Sequence, residues 1–138
     1  MQGEKRIIIA GTRTFSDYPL VERTLLEHGI TGPQCGGDNI VIVSGGAKGA
    51  DSLGERFAKK YGIPVRRFLP DWNRYGKAAG PFRNEAMARF ASEPGAEGAL
   101  FAFWDEKSRG TQSMIMLADR YGLDVHIVQY GTSVQATS

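Results

Sequence analysis

Short β-branched apolar runs alternate with amphipathic stretches along the whole chain. Residues 6–10 (RIIIA) form the first run, ended by Gly11. Residues 18–28 then carry Leu20, Val21, Leu25 and Leu26 near helical spacing, with Asp17 placed to cap the start and Gly29 to stop the end. After a loop of Gly, Pro, Asp and Asn over residues 31–39, a second strand is predicted at 40–43 and a helix at 50–61, closed by Gly62 and Pro64. A third strand over 65–69 leads into a longer connection, 70–81. The pattern then predicts a helix at 82–91, a strand at 98–104, a helix at 111–121 stopped by Gly122, and a last strand at 125–130. Residues 131–138 are polar and are expected to fray.

Strands with nearly continuous apolar faces, separated by helices, are the pattern of a parallel sheet covered on both sides. The expected fold is one Rossmann-like three-layer α/β domain over residues 1–130, with a mainly parallel five-stranded sheet. The length of 138 residues suits one domain with a self-sufficient core. Composition adds exclusions. A net charge of +2 with mixed signs provides no basic surface for coating nucleic acid. The single cysteine, Cys35, excludes an internal disulfide and a Cys-rich metal site, and in a Gly-rich loop it reads as incidental. Neither a signal peptide nor a membrane span is legible, so a soluble, cytoplasmic protein is expected. No motif calls for a metal or an organic cofactor.

The most informative stretch is IVIVSGGAKGAD, residues 40–51. A strand breaks at Ser44-Gly45-Gly46, and Gly49 precedes a helix. Such a junction leaves backbone N–H groups unpaired beside a helix's positive end, a setting for phosphate or another anion. The spacing matches neither G-x-G-x-x-G nor G-x-x-x-x-G-K-[ST], because Lys48 stands before the final Gly49; a plain tight turn is the competing reading. Open parallel sheets bind ligands beyond the carboxyl ends of their strands, and the polar segments fall there: Gly11-Thr12-Arg13, Ser44-Gly45-Gly46, Asp71-Trp72 and residues 105–111.

Arg13 is either a bidentate phosphate ligand or a solvated arginine after a turn. Asp51 either caps its helix or accepts from a ribose hydroxyl. Trp72 and Tyr75 either stack a base or pack within the connection. Pro81 suits a first helical turn and places Arg83 and Asn84 near that helix's positive end, where a bound anion would reconcile an arginine with the dipole. The alternative pairs Arg83 with Glu85 or Asp71. Phe82, Met87 and Phe90 do not obviously share one helical face, so part of this helix is a candidate interface.

Four segments together carry a family likeness: AGTRTF (10–15), SGGAKGAD (44–51), AGPFRNEAM (79–87) and RGT (109–111). The chain resembles a stand-alone YspA-like member of the SLOG superfamily, which also holds the LOG phosphoribohydrolases and the DprA/Smf DNA-processing proteins. The resemblance implies binding of a nucleotide or nucleotide-derived phosphorylated ligand, often by a homodimer or higher homo-oligomer. The expected ligand-binding set is Gly11, Thr12, Arg13, Ser44, Gly45, Gly46, Ala47, Gly49, Ala50, Asp51, Trp72, Arg83, Asn84, Gly110 and Thr111. LOG enzymes cleave the N-glycosidic bond with an arginine from R-x-x-x-M and a glutamate shortly after G-G-x-G-T. Arg83 and Met87 match the first element. In the second, Ser108-Arg109 replaces the glycine pair and Gln112, Ser113 and Met114 stand where the glutamate belongs. Asp105 and Glu106, with Arg83, are then the catalytic candidates, and Asp51 and Asp71 the remaining acids. The leading expectation is a binding module, followed by an N-glycosidic hydrolase and then a DNA-processing accessory, against which the modest charge counts.

Overall fold

The computed structural model describes residues 4–32 and 39–130. Cys35 and the 131–138 tail lie outside these residues. The elements in order are β1 (Lys5–Gly11), α1 (Tyr18–Glu27), β2 (Ile40–Ser44), α2 (Ala50–Tyr61), β3 (Val65–Arg67), a short α3 (Trp72–Tyr75) running into a 3₁₀ turn (Gly76–Ala78), α4 (Ala79–Ala91), β4 (Glu97–Trp104), α5 (Arg109–Arg120) and β5 (Asp124–Gln129).

The five strands form one sheet in the order β3-β2-β1-β4-β5, and every pairing is parallel. The strand order reverses between β1 and β4, whose register runs from Lys5 opposite Glu97 to Gly11 opposite Phe103. Side chains alternate across the sheet with the two-residue period of a strand. Ile7, Ile9, Ile42, Phe101 and Phe103 pack with Val21, Leu25 and Phe57 of α1 and α2. Ile8, Ala10, Val43, Leu100 and Ala102 pack with Met87, Ala88, Met114 and Ala118 of α4 and α5. Two apolar faces covered by two helix pairs explain why β1, β2 and β4 read as continuous apolar runs.

Asp17 caps α1 as expected, its carboxylate accepting from the Leu20 N–H at 3.1 Å. Three boundaries differ from the sequence pattern by two residues or more. β3 stops at Arg67 because the last sheet-like bond is Phe68 N–H to the Ser44 carbonyl and Pro70 then offers no donor. α4 begins at Ala79 and carries Gly80 and Pro81 in its first turn, where N–H groups have no helical acceptor and proline costs nothing. α5 begins at Arg109 because Ser108 caps it, accepting from Thr111 N–H at 3.3 Å, so Gly110 is helical.

Of the helix residues considered for an interface, Met87 is fully buried and Phe90 packs against the same cluster, with the Arg6 guanidinium 3.9 Å above its ring. Phe82 alone of the three is exposed, meeting Tyr75 edge-on at 4.8 Å. Among the described residues no helix is long and apolar enough to cross a membrane.

Candidate nucleotide site

At the carboxyl edge of the sheet, the loops after β1, β2 and β4 meet the start of α4. Gly11 permits a close approach: a Cβ there would collide with the Phe103 carbonyl and lie 2.7 Å from Ala50 Cβ. Thr12 ties β1 to the loop after β4, its N–H donating to Phe103 at 3.1 Å and its hydroxyl accepting from Asp105 N–H at 3.4 Å. The glycine loop then turns at Gly46, whose φ of 75° is left-handed.

Part of the loop's backbone donor set is already engaged within the chain. Ala47 N–H donates to Asp51 Oδ2 at 3.3 Å, the Gly45 backbone also favours the ionised Asp51 carboxylate, and Gly46 N–H donates to the Ser44 hydroxyl at 3.1 Å. Ser44 in turn donates to Glu55 at 2.6 Å. The cap of α2 is Gly49, with no side-chain bond, so Asp51 does not act as the cap; it reaches back to staple the loop.

Arg83 reaches this loop from α4. Its Nη1 donates to the Gly45 carbonyl at 2.5 Å and its Nε to the Asn84 side-chain oxygen at 2.9 Å. Asn84 extends the link to α5 through the Gly110 carbonyl at 3.5 Å. Burial pushes the Arg83 guanidinium down, Asp51 opposes this, and Arg13 adds to it as a like charge. Neither Arg13 nor Arg83 takes part in an ion pair among the described residues.

Two compartments share Arg13, Ala47 and Arg83. The inner one, about 100 Å³, is further lined by Gly11, Asp51, Asn84, Ser108, Gly110 and Thr111. The outer one, about 300 Å³, is floored by Gly45, Gly46 and Lys48 and walled by Pro70 and Trp72. Trp72 is half exposed. A larger cavity of about 680 Å³ opens at the opposite edge, near Lys5, His28, Phe101 and His126. The two histidine rings there pack on Phe101 and on each other, and that edge has neither a glycine loop nor paired arginines. The carboxyl edge therefore carries the better chemistry despite its smaller volume.

Comparison with known proteins agrees with the fold. The model of the YspA, cpYpsA-related SLOG family matches residues 5–75. The chain belongs to that family. The Gene 61 protein of Mycobacterium phage D29 is 31% identical over 126 residues, covering 88% of this chain and 94% of the phage protein. The solved structure of DNA processing protein A (DprA) from Streptococcus pneumoniae matches with a TM-score of 0.66 at 19% identity, over 94% of this chain and 51% of that one. The chain thus spans about half of that DprA chain, and the likeness is one of fold. The SLOG family match includes Gly11 to Arg13, the glycine loop, Asp51 and Trp72, and stops short of Arg83, Asn84, Gly110 and Thr111.

Of the expected ligand-binding set, Gly11, Arg13, Gly45, Gly46, Ala47, Asp51, Trp72, Arg83, Asn84, Gly110 and Thr111 line the two compartments. Thr12, Ser44, Gly49 and Ala50 stand behind them: Thr12 and Ser44 brace the loops, Ala50 is core, and Gly49 (φ 80°) packs against the Thr12 and Arg13 backbone. Lys48 and Ser108 join the lining outside the expected set, and the place of Lys48 within the glycine loop is the sequence signal for it.

The candidate acids are sorted sharply. Asp105 accepts from the N–H groups of Lys107 and Ser108 at 2.8 and 2.9 Å, and these bonds hold its carboxyl below the usual range. Glu106 sits at a left-handed φ of 69° beside it, and neither residue lines either compartment. Asp71 caps α3 through Arg74 N–H at 3.2 Å. Tyr75 meets Phe82 outside both compartments. Asp51 is the carboxylate in the inner lining.

Burial is the main force pushing the Asp51 carboxyl up to about 6, against its backbone donors and Arg83. The folded chain then keeps a proton that the unfolded chain releases, between about pH 4 and pH 6. The stability contributed by this group is full below that window and is lost as pH rises through it. Urea midpoints followed from pH 4 to 7 should show this fall in the wild type and lose it in Asp51→Asn. Parallel pH curves for the two proteins would remove Asp51 as the titrating group.

Proposed function

We propose that the chain binds a nucleotide or nucleotide-derived phosphorylated ligand at the carboxyl edge of its sheet. The observation that carries this reading is the convergence of Arg13 and Arg83, neither ion-paired among the described residues, on one cleft that continues past Lys48 to the half-exposed face of Trp72. Two guanidinium forks suit phosphate oxygens, and an open indole face suits a base. Membership of the SLOG family supports the same assignment. Binding is favoured over cleavage because Gln112, Ser113 and Met114 are neutral, Asp105 and Glu106 lie outside the cleft, and Asp51, the one carboxylate lining it among the described residues, is tied to the loop through Ala47 N–H. DNA processing, the role in the name of the DprA neighbour, has less support here, because the cations gather in a small cleft and the net charge is only +2.

The test is incubation of the purified chain with nucleoside mono- and diphosphates, dinucleotides, ADP-ribose derivatives and cyclic nucleotides, followed by mass spectrometry of bound and released species. Intact ligand recovered after denaturation is the expected result. Brisk release of free base with ribose phosphate would make the protein a hydrolase, and retention of nothing in the panel would overturn the reading.

A further inference from the structure

The amide nest of the glycine loop already holds an anion, the chain's own Asp51. Its carboxylate accepts from Ala47 N–H and is favoured by the Gly45 backbone, while the Ser44 hydroxyl accepts from Gly46 N–H. A carboxylate offers about four acceptor sites, so these backbone groups leave it unsaturated. Asp51 is only 5% exposed, yet it lines the inner compartment. A phosphate placed there would lie against a buried like charge. A hydroxyl group would instead donate to it. The inner lining also holds Asn84, Ser108 and Thr111, amide and hydroxyl groups, together with the two arginines at its boundary with the outer compartment. The outer compartment shares Arg13 and Arg83 and adds Lys48 and Trp72, with no carboxylate in its lining.

We infer that Asp51 reads the sugar of the ligand, the inner compartment taking the vicinal hydroxyls of a ribose while the outer one takes the phosphate and the base. This rests on the nucleotide-binding reading above and narrows it to ribonucleotides with a free 2′,3′-diol. The charged groups around Asp51 are Arg83 from α4, Arg13 from the loop after β1, and Glu55 one turn along α2, itself engaged by Ser44 and Arg67. With its carboxyl pushed up to about 6, Asp51 is an ionised acceptor near neutral pH and gains a proton below that value. Discrimination for ribose therefore weakens in acid, whereas a purely loop-bracing Asp51 gives no reason for the sugar to matter.

The experiment is calorimetric titration of the wild type with the four nucleoside 5′-monophosphates, their 2′-deoxy and 3′-deoxy counterparts, and inorganic pyrophosphate, at pH 7.5 and pH 5. A hydrogen bond to an ionised group sets the expected preference for the ribo form at about ten- to a hundredfold. That preference should shrink at pH 5 and approach unity in Asp51→Asn. Equal affinities for ribo and deoxy forms in the wild type would overturn the inference while leaving phosphate binding intact. An undiminished preference in a folded Asp51→Asn protein would overturn Asp51 as the reader. If the variant does not fold, the wild-type ratio and its pH dependence decide. Failure of every nucleotide and of pyrophosphate to bind would instead overturn the nucleotide-site reading, and this inference with it.

Discussion

Gly45→Val is expected to remove nucleotide binding almost completely, by a hundredfold or more in affinity (about 2.8 kcal/mol or above), while the protein still unfolds cooperatively. A Cβ on Gly45 would stand 2.5 Å from Arg83 Nη1, 2.9 Å from its Cζ and 3.0 Å from Asp51 Oδ2. The guanidinium must leave the Gly45 carbonyl, and Asp51 must shift within a loop it staples. One substitution thus displaces the cation and the carboxylate of the site together. Gly45 belongs to neither core cluster, so the sheet and its helices keep their packing. The neighbouring Gly46→Val acts differently: its left-handed φ of 75° makes any side chain strained, but the atom its Cβ meets is the tip of Leu69, an exposed and flexible side chain. A smaller loss is expected there. Calorimetric titration with thermal unfolding of both variants checks this, and undiminished affinity in a folded Gly45→Val protein would detach the loop from the site.

Arg83→Ala should weaken phosphorylated ligands by about ten- to a hundredfold, the worth of a charge-assisted contact, and the matching nucleosides far less. Arg83 joins the loop after β2 to α4, and through Asn84 to α5, by side-chain hydrogen bonds. Its loss removes a phosphate partner and also an opposing charge that holds the Asp51 carboxyl down. The raised carboxyl of Asp51 should therefore climb further in this variant, visible as a pH profile displaced upward. Lysine is a poor replacement, since a single ammonium cannot keep the Gly45 bond and present a planar fork. Comparing nucleotide with nucleoside in each variant separates the two roles, because equal losses for both would mean that Arg83 acts only by holding the loops together.

Local chemistry in the sequence determined most of the architecture. Apolar runs of strand length, amphipathic stretches of helix length and glycine stops at Gly29, Gly62 and Gly122 are decided by a residue's near neighbours, so every strand and all four longer helices were legible. The Asp17 cap and the gathering of glycines, hydroxyls and arginines after the strands were legible for the same reason. Helix starts were less so: Ser108 caps α5 two residues earlier than the apolar pattern shows, and Pro81 masks a start at Ala79 because a first turn needs no N–H acceptor. The strand order and the fate of each polar side chain required the tertiary structure. Arg83 finds the Gly45 carbonyl 38 residues away, and Thr12 finds Asp105 93 residues away. Asp51 becomes the acid of the cleft because the glycine loop folds back onto it, while Asp105 is consumed by its own turn. A side chain chooses between water, its own backbone and a distant partner according to which neighbours the crossing of β1 and β4 brings near, and no window of sequence contains that information.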